Sequence, residues 1–215
     1  MAVGLQTLVR KKIDMVSLKI YNDNIADNQV FQTIEILKDG GVIIIPTDTL
    51  YAVACDALNP KAIEKVCKLK GINPDKTNLS ILCNDISMVS EYAKFDNYAF
   101  KLLKDNTPGP FTFLFRAASS LPRAFKGRKI VGIRIPGNDA IRKIIENLGN
   151  PLLSTSIAYK DDDYGINPDL IEEEYEGKAD LIIKGEEGKL QPSAIIDCTS
   201  LSYEILREGP VSLTE

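Results

Sequence analysis

The chain has 215 residues, of which 44% are hydrophobic and 26% charged; 26 basic and 30 acidic side chains leave a formal net charge of −4. That length suits one domain able to bury its own core, and the charge balance speaks against a uniformly basic protein that coats nucleic acid. Histidine is absent, which excludes Ser-His-Asp and Cys-His catalysis, His-ligated zinc and a histidine general base.

Residues 1–14 are mildly apolar and then basic, the reverse of a signal peptide. They are expected to form a loose extension before a domain over 15–215, with Met15 an alternative start. No apolar run is long enough to span a bilayer, so a cytoplasmic protein without a membrane partner is expected. Val30, Phe31, Ile34 and Leu37 recur at helical spacing until Gly40-Gly41, and VIIIP then reads as a short strand. Alternation at Tyr51, Val53 and Cys55 predicts another strand. Asn59-Pro60 opens a helix with Ile63, Val66 and Cys67 inward and Lys61, Lys65 and Lys68 outward.

LSILC (79–83) reads as a strand, followed by helical stretches near 86–94 and 97–105. FTFLF sets Phe111, Phe113 and Phe115 on one face, and IVGIRI (130–135) sets Val131, Ile133 and Ile135 opposite Arg134. Asn138 or Asp139 caps a helix closed by Gly149, and LLSTSI, DLIIK, SAIIDC and YEILRE supply four more strand candidates. Interleaved strands and helices predict an α/β domain, a single twisted open sheet of mixed or largely parallel strands with flanking helices. The four cysteines form no C-x-x-C pair; Cys55, Cys67 and Cys83 are expected to be buried small apolar groups.

Charge is unevenly spread. Residues 101–143 carry ten basic side chains against two acidic ones, whereas 160–180 carry nine acidic against two basic. A positive middle section in an acidic chain suggests a localised anionic ligand such as phosphate or RNA. Walker A, G-x-G-x-x-G, H-E-x-x-H and G-x-S-x-G motifs are all missing. What remains is a set of strand ends: PTDT (46–49), TPGPFT (107–112), RIPGN (134–138) and STS (154–156). In open α/β sheets ligands sit beyond such ends, where hydroxyls, amides and an Arg fork bind carboxylate or phosphate. Taken singly, PTDT is equally a turn and TPGP equally a helix stop.

GGVIIIPTDTLYAVACDA resembles the opening signature of the YrdC-like domain, the threonylcarbamoyl-AMP synthase family. The resemblance continues through KLKGINPDKTNLSILC, TPGPFTFLF, VGIRIPGN, PLLSTSI, PSAIIDCT and YEILREGPV, about residues 26–211. DNYAFKLLKDNTPG and the STS ending resemble the YciO subgroup. The resemblance implies a sheet with a concave, positively charged face and an ATP-dependent reaction. Threonine and bicarbonate form N-carboxythreonine, whose carboxylate attacks the α-phosphate of ATP; pyrophosphate leaves, and the threonylcarbamoyl-AMP goes on to modify tRNA. Such chemistry rests on positioning and charge neutralisation rather than on a covalent nucleophile, with Mg²⁺ bridging phosphate oxygens.

By motif, the resemblance places Thr47, Thr49 and Tyr51 at the amino-acid and carbamoyl pocket, and Pro108, Gly109 and Thr112 at its floor. Lys68 or Lys70 would reach the phosphates or the threonine carboxylate, and Arg134 a carboxylate or phosphate. Ser154, Ser156, Ser193 and Arg207 would contact the nucleotide. Plainer roles compete: Lys68 as a surface lysine paired with Glu64, Tyr51 as core, Arg207 as an edge-strand charge. No side-chain metal site is expected, Asp48 and Asp197 acting at most through water. Two features depart from the synthase pattern. Ile72 stands where a K-x-R-P arginine is expected, in a loop one residue longer from which Lys76 or Asn78 would substitute at the nucleotide, and Ile157-Ala158 replaces the Ala-Asn of STSAN. An alternative role is therefore binding of nucleotide, tRNA or double-stranded RNA without synthesis.

Overall fold

The structure is a computed structural model that describes residues 14–73, 79–122, 125, 127–157 and 165–214. Local sequence explains its helix ends. In α2 (Pro60–Lys70) the Asn59 side chain accepts the Lys61 and Ala62 N–H groups, Pro60 occupies the first turn, and Gly71 closes the helix at φ +62°. Asn138 accepts the Ile141 N–H at the start of α5 (Asp139–Leu148), which Gly149 ends at φ +76°. Asp85 and Asp96 cap α3 (Ile86–Tyr92) and α4 (Asn97–Asn106) in the same way. With α1 (Asp27–Lys38) and α6 (Pro168–Tyr175), six helices are described.

The strands are β1 (Val16–Lys19), β2 (Ile43–Ile45), β3 (Ala52–Asp56), β4 (Ser80–Leu82), β5 (Ala93–Lys94), β6 (Phe111–Ala117), β7 (Ile130–Arg134), β8 (Leu152–Ser156), β9 (Leu181–Lys184), β10 (Ala194–Asp197) and β11 (Glu204–Arg207). They form one open sheet in the order β1-β9-β2-β3-β8-β4-β7-β6-β10-β11, with β5 added beside β6. Of the two arrangements expected, the mixed one is found. β1–β9, β2–β9, β4–β7 and β6–β10 are parallel. The pairs β2–β3, β3–β8, β4–β8, β6–β7, β10–β11 and β5–β6 are antiparallel.

Period-two alternation divides the side chains between two cores. One face gathers Phe111, Phe113, Phe115, Val131 and Ile133 with Val66 of α2, Val89 of α3, Leu103 of α4 and Ile171 of α6. The other gathers Ile43, Ile45, Leu181 and Ile183 with Leu37 of α1 and Ile144 of α5. Among the described residues, helices thus cover the second face over its β1 end, as far as Leu82 and Leu152. Beyond them the same face of β4, β7, β6 and β10 lines a cavity instead.

Three elements were not expected. In α6, Glu172-Glu173-Glu174 obscures an apolar pair, Ile171 and Tyr175, that reaches the core. β1 takes its register from β9, far along the chain, and β5 is two residues long.

Candidate functional site

The cavity has a volume of about 400 Å³. Its floor consists of strand side chains that alternate away from the first core: Ser80 on β4, Thr112 and Leu114 on β6, Ile130, Gly132 and Arg134 on β7, and Ser154 on β8. Thr47 and Leu50 from the β2–β3 connection form one wall, and Ser193, Ile195, Leu206 and Arg207 the other. Strand pairing makes this a single place. Arg134 lies beside Leu82, Gly132 beside Ser80 and Leu114, and Ser80 beside Ser154.

Arg134 is 8% exposed. Its Nη1 donates to Thr49 Oγ1 at 2.9 Å, and its Nη2 donates to Thr47 Oγ1 at 3.5 Å and forms an ion pair with Asp48. Burial pulls its pKa down and the Asp48 carboxylate pushes it back up; an arginine keeps its charge under such opposing effects. Thr47 Oγ1 donates to the Leu50 carbonyl at 2.7 Å and accepts the Thr49 N–H at 3.1 Å. Its proton is thereby committed, so in the 3.1 Å contact between the two hydroxyls Thr49 is the donor to Thr47, while it accepts from Arg134. Among the described residues, Arg134 Nε and Asp48 Oδ2 are buried without hydrogen-bond partners.

On the opposite wall Arg207 holds the Ser193 carbonyl with Nε at 2.9 Å and Nη2 at 2.7 Å. Ser193 Oγ lies 2.9 Å from Thr112 Oγ1. Burial lowers the Arg207 pKa and the charge of Arg134 lowers it further, so the two guanidiniums face one hollow and repel. An anion between them relieves that repulsion while accepting hydrogen bonds, the requirement for binding a phosphate or carboxylate.

Of the residues singled out in the sequence, Thr47, Thr112, Arg134, Ser154, Ser156, Ser193 and Arg207 line the cavity, and Thr49 touches it through Arg134. Lys70 Nζ donates to the Ser156 carbonyl at 2.6 Å, beside the rim, and burial lowers its pKa. Lys68 is exposed on α2 and does not line the cavity. Tyr51 is fully buried in the first core, its hydroxyl donating to the Glu186 carbonyl at 3.0 Å and accepting the Gly185 N–H at 3.1 Å. It fixes the loop after β9 and does not line the pocket. Pro108, after a cis peptide bond, and Gly109, whose N–H donates to the Ile135 carbonyl at 3.0 Å, brace the strand end behind Arg134 rather than forming the floor. Asn78 and Lys76 lie outside the described residues. Asp197 folds back on its own turn, accepting the Thr199 N–H at 2.8 Å.

Sequence reasoning overlooked Arg128, a third guanidinium on the lining, and the role of Asp48 as the ion-pair partner of Arg134. The basic run RKI before β7 signalled the first. Nothing in the chain signalled the second, because it depends on a contact between distant segments.

The model of the Sua5/YciO/YrdC family, described as telomere recombination, matches residues 35–209. The chain belongs to this family. It is 36% identical to YciO of Escherichia coli K12 over 193 residues, covering 88% of this chain and 93% of that one. The crystal structure of Escherichia coli YciO superposes with a TM-score of 0.83 at 34% identity, covering 92% and 97% of the two chains. Pyrococcus abyssi Sua5 complexed with L-threonine shares the fold, with a TM-score of 0.79 at 23% identity over 91% of this chain and 58% of that one. Sua5/YciO/YrdC membership and the mixed open sheet are what these likenesses establish. No helix among the described residues is long and apolar enough to cross a membrane.

Proposed function

We propose that the protein is an ATP-dependent nucleotidyltransferase of the threonylcarbamoyl-AMP synthase type. The observation that carries this reading is the convergence of Arg134, Thr49, Thr112, Ser154, Ser193 and Arg207 on one hollow from segments far apart in sequence. A threonine-bound Sua5 of the same fold is consistent with an amino-acid carboxylate as one guest. In the reaction, an oxygen of N-carboxythreonine bonds to the α-phosphorus of ATP as the bond from that phosphorus to the bridging oxygen breaks. Pyrophosphate takes the electron pair and leaves. The protein's part is to hold the two reactants in line and to offset charge on the phosphorus oxygens, which Arg134 and Arg207 do from opposite walls. Magnesium would enter with the nucleotide; among the described residues no three Asp, Glu, Cys or His side chains gather to hold it.

Two positions bear on the strength of this activity. Ile72 packs against the first core, and Ile157 is 3% exposed with its N–H on the Tyr51 carbonyl at 3.0 Å. Ile72 puts an apolar group where the synthase pattern has an arginine, and Ile157 a larger apolar group where it has an alanine, so the burden of anion binding falls on Arg134, Arg207 and Arg128. The test is pyrophosphate release from labelled ATP in the presence of threonine, bicarbonate and Mg²⁺. Release that requires both threonine and bicarbonate and is lost in Arg207→Ala supports the proposal; release indifferent to either, or none, overturns it.

A second reading, binding of tRNA or double-stranded RNA without synthesis, draws on a different observation. Lys94 and Arg116 pair directly across β5 and β6, with Lys129 bonded next to them, and all three are exposed. Phosphate-led binding there would weaken steeply with added salt.

A further inference from the structure

Gly209, two residues beyond Arg207, lies closer to a neighbouring backbone than a side chain would allow. A Cβ at this position would stand 2.4 Å from the Ala194 nitrogen and 2.9 Å from Ala194 Cβ. Its φ is not positive, so no left-handed turn demands the glycine. What demands it is the close approach of two stretches of backbone. Ala194 opens β10, and its neighbour Ser193 supplies the carbonyl that Arg207 grips. The missing side chain is thus at the place where the Arg207 wall is fastened to the sheet.

Which side would yield to a Cβ decides the consequence. Ala194 is 2% exposed, its N–H donates to the Pro110 carbonyl at 2.9 Å, and it pairs with Phe111 of β6. β11 is exposed along its length, pairs with β10 alone among the described residues, and meets it with a register shift between Ile195 and Ile196. The edge strand therefore moves rather than Ala194, and Arg207 moves with it. A second hold lies at the far end of the same segment. Asn106, buried at the end of α4, donates from Nδ2 to the Thr214 carbonyl and accepts the Thr214 N–H, both at 2.7 Å. Nδ2 also donates to the Leu102 carbonyl at 2.7 Å, and Leu213 packs against the first core. Arg207 needs such holds, since Arg134 repels it across the cavity and water lies on its other side. We infer that Gly209 and Asn106 are positioning residues, which pin the chain leaving β11 so that Arg207 stays aimed into the cavity opposite Arg134. The inference rests on the nucleotidyltransferase reading and adds to it what keeps the second arginine in place.

The experiment is a double-mutant cycle read by calorimetry with inorganic pyrophosphate on the wild-type protein, Gly209→Ala, Arg207→Ala and the double variant. Gly209→Ala is expected to lower pyrophosphate affinity by about threefold or more, because a cation displaced by a fraction of an ångström is misaimed. In the Arg207→Ala background the same change should cost nothing further, since its effect passes through the guanidinium already removed. A glycine that merely supported the fold would lower affinity equally in both backgrounds, and that result overturns the inference while the nucleotidyltransferase reading stands. Wild-type affinity in Gly209→Ala overturns it in the same way. If the wild-type protein does not bind pyrophosphate, both fail. Should Gly209→Ala not fold, Thr214→Pro, which removes the N–H that Asn106 accepts at an exposed position, is measured in the same two backgrounds with the same expected loss and the same two overturning results.

Discussion

Asp48 and Arg134, 86 residues apart, form a buried ion pair at the head of the cavity, and each keeps one buried polar atom without a partner among the described residues. Asp48 also packs against Gly137, where a Cβ would lie 3.1 Å from Oδ2. The pair makes the buried arginine possible: without a counter-charge its desolvation is costly.

Asp48→Asn should therefore destabilise the protein by about 3 kcal/mol, because it strands a buried guanidinium. Asp48→Leu combined with Arg134→Met should recover most of that loss, since apolar pairs of similar volume replace buried ion pairs at little net cost. Urea unfolding measures both. A loss below 1 kcal/mol for Asp48→Asn would show that water already reaches the pair.

Arg207 is on the rim and exposed, so Arg207→Ala should leave unfolding within about 1 kcal/mol of wild type. Pyrophosphate affinity should nonetheless drop about tenfold or more, as one of two facing cations is removed. Arg207→Lys should not restore it, because Nε and Nη2 together grip one carbonyl, a fork that an ammonium cannot reproduce. Calorimetry with pyrophosphate decides; a lysine variant as good as wild type would reduce Arg207 to a point charge.

Burial pushes the Tyr51 phenol from its ordinary value of 10.0 up to about 12. The folded protein therefore holds that proton more tightly than the unfolded chain. Its stabilising contribution is complete below about pH 10 and is lost as pH rises through 12, by about 3 kcal/mol. Tyr51→Phe should flatten this part of the stability profile relative to wild type. At neutral pH it should cost about 1–3 kcal/mol, because the Gly185 N–H loses its acceptor. Denaturant midpoints at pH 7 and pH 11 test the pair of effects; parallel pH profiles for the two proteins would contradict them.

All four cysteines are free and buried. Burial raises every one of their thiol pKa values, that of Cys198 to about 12. Thiolate is the reactive form, so a disulfide exchange reagent at pH 8 should label no cysteine in the folded protein and four per chain in urea. Rapid labelling of any one thiol in the folded state would place it nearer the surface.

How much of this was legible in the chain depended on the range of the interactions concerned. Asn59-Pro60, Asn138 and Gly149 mark helix ends through bonds made within a few residues, so their signals are complete in the sequence. The alternation of Phe111, Phe113 and Phe115 fixes which face of β6 is buried, and with it that Thr112 and Leu114 look the other way. Motif resemblance brought Arg134, Ser154, Ser193 and Arg207 forward as site residues, and they line the hollow. What the amino acids could not announce were β1, α6 and the partnership of Asp48 with Arg134, whereas the core role of Tyr51 was one of two readings that the alternation left open. β1 exists because β9 pairs with it, and α6 because its apolar pair finds the first core despite three glutamates. Tyr51 and Asp48 sit near each other in one connection, yet the first enters the core and the second meets Arg134. Side-chain periodicity and capping are properties of a short stretch of chain. Which strand ends meet around a cavity, and which charge is buried against which, is settled only when the sheet order brings distant segments together.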